Sequence, residues 1–131
     1  MSENLDLVKE YLLNLDLKIV SENEGEQLVV VDDQDNGIIN LIIDCEAPIV
    51  ILEQLIMETP KAPGDFFKRL LQINRSLVHG AFVLDEEGAR VFFRDTLQLT
   101  NLDQNELEGS IDALSLALAE YGSELIDFSH R

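Results

Sequence analysis

What this sequence has little of narrows it first. It holds one cysteine, Cys45, so no internal disulfide can form, and everything in its cysteine usage fits a reducing compartment. Basic residues are scarce: nine Lys and Arg against 26 Asp and Glu give a net charge of −17. Phosphate backbones and anionic lipid surfaces would be repelled, so neither a nucleic acid nor a membrane is an expected partner. No apolar run nears the ~20 residues of a bilayer span. The opening MSENLDLV has neither a basic nor an apolar leader region. A cytoplasmic protein is the expectation.

Patterns that carry chemistry are equally thin. His79 and His130 stand alone, without a second histidine or a cysteine at ligand spacing. DDQDNG begins like a calcium loop at Asp32, but its third position is Gln34 and its twelfth is Ile43, so it reads as an acidic turn. Asp44 and Glu46 share one face of a strand; on so acidic a chain they read as solvated carboxylates, not as an acid–base pair. DEEG, residues 85–88, is a turn whose acids repel phosphate. No metal, cofactor or enzymatic activity is expected.

What is present is a core. Of 131 residues, 46% are hydrophobic, enough for one domain to fold and too many for disorder. A first helix spans about 4–16, capped by Asn4, with Leu5, Val8, Leu12 and Leu15 on one side. KIVSEN and EQLVVVDD form a hairpin around Gly25. Asn36-Gly37 is a tight-turn dipeptide. Pro48 cannot donate a ladder hydrogen bond, so GIINLIIDCEAPIVILEQLIME divides into strands 38–46 and 49–58. A helix over 65–79, ended by Gly80, precedes a hairpin of AFVL and ARVFFRDTLQL. The last helix covers 102–125, with Thr100 and Asp103 as a capping box. The order αβββ(β)αββα, linked by hairpins, is an α+β domain: an antiparallel sheet with helices on one face.

Two features ask for a second surface. Along residues 39–57 the odd positions are almost all apolar, while the even set opens with Asn40, Asp44 and Glu46 and then carries Val50, Leu52 and Ile56. Continuous alternation would put those last three on the open face of the sheet. In the central helix, Phe66, Leu70, Ile73 and Leu77 make one row; Phe67, Leu71 and Val78 make another about 100° around, with Lys68, Arg69 and Arg75 opposite. Asn74 projects between the rows, either bonding nearby backbone or fixing register at a dimer seam. The charge is uneven as well: residues 61–94 are net +2, and the flanking thirds are acidic. Val50, Leu52, Ile56, Phe67, Leu71, Asn74 and Val78 are therefore the candidates for homodimer or partner contact. Tyr11, Leu12 and Leu15 of the first helix are candidates for a partner groove.

LLQINRSLVHGAFVLDEEGARVFFRDTLQLTNLDQNELEGSIDAL, residues 70–114, resembles the YbjN-like family of bacterial proteins, labelled sensory-transduction regulators or Tir-chaperone-like proteins. Leu70-Leu71 ahead of Asn74, then Gly80, Gly88, and Leu97 before an acidic helix, carry the likeness. LDLKIVSENEGEQLVVV and IVILEQLIMETP extend it over nearly the whole chain. The resemblance implies the fold of class I type III secretion chaperones, small acidic homodimers that hold an extended effector segment. The expected function is a non-enzymatic homodimer that binds a segment of a partner protein. The alternative is a regulatory or signalling adaptor for one dedicated protein, without chaperone action.

Overall fold

In the computed structural model, which describes residues 2–131, three helices and six strands alternate as the sequence order requires. They are α1 (Ser2–Asn14), β1 (Lys18–Asn23), β2 (Leu28–Asp33), β3 (Ile38–Glu46), β4 (Ile49–Glu58), α2 (Phe66–Ser76), β5 (Ala81–Leu84), β6 (Arg90–Gln98) and α3 (Gln104–Ser129). The strands form one antiparallel sheet in the order β1-β2-β3-β4-β6-β5. Hairpins build the first four strands in sequence. The α2 crossover then carries the chain past one strand position, and β6 returns to lie beside β4. This leaves the short β5 at the outer edge.

One core fills the space between the sheet and the helices. Val29 and Val31, Leu41 and Ile43, Val50 and Leu52, and Val91 and Phe93 point into it from four strands; Leu5, Val8 and Leu12 of α1 and Leu107, Ile111 and Leu114 of α3 close over them. Phe66 of α2 packs on Phe128 near the end of α3, with ring centroids 5.0 Å apart and the rings tilted by 59°. That contact explains why α3 continues beyond its expected end near 125. Phe128 needs the extra turn to reach α2.

Helix boundaries shifted for local reasons. Asn4 lies inside α1 and does not cap it. α2 stops at Ser76: Leu77 is already extended, and its N–H donates to the Asn74 carbonyl. The capping box of α3 is Asp103 with Glu106, one turn later than Thr100 with Asp103: the Asp103 carboxylate accepts from the Glu106 N–H at 2.7 Å, and Glu106 accepts from the Asp103 N–H at 3.2 Å. Gly80 serves a different purpose from the helix stop expected of it. Its φ is +74°, and a Cβ there would collide with the Phe93 ring.

A buried glutamine holds the start of β3. The ladder between β2 and β3 slips between Val31 and Asp33, near Asn40 at φ +52°. Gln54, buried on the helix side of β4, accepts from the Ile39 N–H and donates to the Gly37 carbonyl, both at 3.0 Å. Backbone groups released by the irregularity are thereby paired inside the core.

Candidate partner-binding surfaces

The loop between β3 and β4 decides which side chains face outward. It has only two residues, Ala47 and Pro48, so Cys45 pairs with Val50 and Ile43 with Leu52. Paired residues share a sheet face. The inward set is therefore odd in β3 and even in β4. Val50 (0% exposed) and Leu52 (2%) are core residues of the chain itself. Ile56 sits in the bulge between Leu55 and Met57 and turns toward α3, where it lines an apolar cleft of ≈ 310 Å³ with Met57, Leu118, Leu125 and Ile126. The expectation that Val50, Leu52 and Ile56 lie on an open second face is thus corrected: Val50 and Leu52 are buried under the chain's own helices, and Ile56 is on the helix side, half-buried at the cleft.

An open apolar face exists, built from other residues. The cross-strand register sets Val30, Ile42, Glu53 and Arg94 in one row, Leu28, Asp44, Ile51 and Thr96 in the next, and Leu55, Phe92 and Val83 in a third. Among the described residues no helix packs here. Ile42 is 40% exposed and Leu55 51%, while their neighbours in sequence are core. Arg94 reaches Glu53 at 3.6 Å, a surface pair in its own row.

Asp44 is the anomaly of this face. It is half-buried between Leu28 and Ile51, and its Oδ1 is enclosed without a hydrogen-bond partner. Burial, then the charge of Glu46, a side-chain hydrogen bond with Glu46 that needs Asp44 protonated, and the charge of Glu26 push its carboxyl above the usual aspartate range. Beside it, burial and the charges of Asp44 and Glu46 push the Cys45 thiol up to about 11, so it is a protonated, unreactive core group at neutral pH.

The second row of α2 behaves as the wheel requires. Leu71 is 72% exposed, and Phe67 is exposed beside it. Val78 (87%) lies just past the helix, in the extended segment. Asn74 does not join them. Its Nδ2 donates to the Phe82 carbonyl at 3.0 Å, and its Oδ1 accepts from the Phe82 N–H at 2.8 Å. The side-chain amide thus completes the outer edge of β5 as a further strand would. Of the two open roles, backbone bonding is the one it has. On its other flank α2 is tied to α3: Arg69 donates to both carboxylate oxygens of Glu124 (2.5 and 3.0 Å) and lies over the Tyr121 ring.

The α1 candidates are mostly spent inside the chain. Leu12 is fully buried, Tyr11 donates to the Leu102 carbonyl at 3.3 Å, and Leu15 lines a polar cleft with Ile111 and Ser115. Among the described residues no cluster of His, Cys, Asp and Glu is arranged to hold a metal ion, and no helix is long and apolar enough to cross a membrane. Sequence reasoning missed Ile42, Ile51, Leu55 and Phe92; for Ile51 and Leu55 the signal is the two-residue turn at Pro48, which reverses the parity along β4.

The family model CesT_Tir_1, of type III secretion chaperones, matches residues 1–131. Among solved structures, YbjN from E. coli superposes with a TM-score of 0.71 at 16% identity, covering 92% of this chain and 93% of that one. A chain of the HopA1-SchA chaperone-effector complex gives 0.64 at 15%, covering 91% and 95%, and one of the ExsC-ExsE complex gives 0.63 at 18%, covering 88% and 89%. At these identities the likeness is one of fold. No curated protein matches.

Proposed function

Because the chain belongs to the CesT_Tir_1 family, we propose that it is a non-enzymatic, chaperone-type homodimer that holds a segment of a partner protein in the cytoplasm. The observation that carries this reading is the open sheet face. Three rows of cross-strand neighbours present Ile42, Ile51, Leu55 and Phe92 with no helix over them, while the opposite face carries the helices and the core. Apolar surface of that extent on a chain this acidic marks a contact with another polypeptide.

The homodimer is assigned to a different surface, the exposed row Phe67 and Leu71 with Val78. It lies in the only stretch of the chain that is not acidic, so two copies approach there with the least repulsion. Screening by salt strengthens such a dimer of acidic chains. Light scattering at micromolar concentration should return twice the 14.8 kDa chain mass, and Phe67→Asp with Leu71→Asp should give a folded monomer. A single-chain mass at every salt concentration would remove the homodimer. Capture from the native cytoplasm by wild type and by Ile51→Glu then separates a holder of many unfolded clients from an adaptor with one stoichiometric partner.

A further inference from the structure

Resting on the reading of the open face as the partner surface, we propose that this face selects an apolar segment carrying a lysine or arginine whose cation seats on Asp44. The face is greasy on both sides of Asp44: Leu28 and Ile51 pair with it directly, and Val30 and Ile42 fill the next row. Its own row holds no base, and the charges acting on it, Glu46 and Glu26, are both acidic. Arg94, the base of the adjoining row, is engaged by Glu53. An enclosed Oδ1 without a donor is a half-made interaction. A cation set against this carboxylate from outside supplies the missing countercharge and relieves the repulsion from Glu46.

A second copy is the wrong occupant. It would bring the same base-free row and a further charge of −17 to an acidic surface. A wholly apolar segment would cover Ile42 and Ile51 but seal the rest of the Asp44 carboxylate, whose Oδ1 already lacks a partner, away from water without a countercharge, which is costly. Apolar residues flanking one base satisfy both demands.

The test is selection from a displayed library of random 12-residue peptides, run at physiological salt on wild type, Asp44→Asn, Ile51→Glu and, as a control for bulk charge, Glu120→Gln on exposed α3. Wild type should enrich peptides with a Lys or Arg flanked by Ile, Leu, Val or Phe. The same peptides should bind Asp44→Asn about tenfold or more weakly and Glu120→Gln within about twofold. Peptides without a base, or equal binding by Asp44→Asn, overturn the role of Asp44 while leaving the face as the binding surface. Undiminished binding by Ile51→Glu, or no enrichment on wild type, overturns the face and the inference together.

Discussion

Ile51 and Leu52 are neighbours in sequence and live in different worlds. Leu52 points into a core closed by α1 and α3; Ile51 points out, half-buried beside an acidic group. Both faces of this sheet are apolar, so hydrophobicity alone does not separate the core from the open face. What separates them is the supply of helices: three elements cover one side, and α2 spends its second row elsewhere. The covered face accounts for the fold, and the uncovered one for what the fold is available to do.

Swapping a charge onto each face breaks the comparison most sharply. Leu52→Lys strands an unpaired ammonium in the core and should cost about 3–5 kcal/mol or abolish folding. Ile51→Lys should stay within about 1 kcal/mol of wild type in urea unfolding. Equal losses would mean that both faces are core. Next in size is Gly80→Ala, where a positive φ and the Phe93 ring both resist a side chain; a loss of about 2 kcal/mol or more is expected from a thermal melt. Asn74→Leu removes both bonds to Phe82 and should cost about 1–3 kcal/mol. The Phe82 amide should then exchange with solvent faster, while the oligomeric state stays unchanged.

Asp44→Asn is the smallest effect and has the opposite sign. The folded state favours the protonated acid, so wild type loses stability as pH rises through the carboxylate range toward the raised value. The asparagine variant should match wild type in acid, and should be the more stable of the two at neutral pH. A variant less stable than wild type at neutral pH would show that the carboxylate is satisfied.

Local patterns in this chain were legible; the pairing between strands was not. The bounds 38–46 and 49–58 follow from alternation and Pro48, and the exposed row of α2 follows from a helical wheel, because each depends on residues close in sequence. The orientation of β4 depends on the register across a two-residue turn, and one missed residue of parity exchanges core for surface. The length of α3 depended on Phe66, some 60 residues upstream of Phe128, so no pattern near residue 125 could announce it.

The amide of Asn74 has one more consequence. A sheet with two bare margins is a monomer for polymerisation, since each margin of one molecule can zip onto the opposite margin of the next. Here the β5 margin is blocked at Phe82 by a side chain that mimics a strand, with α2 held against it. Growth into a filament by edge pairing needs both ends, and among the described residues β1 is the margin left without such a block. Whatever joins the ladder from outside can do so once, and the chain of additions stops there.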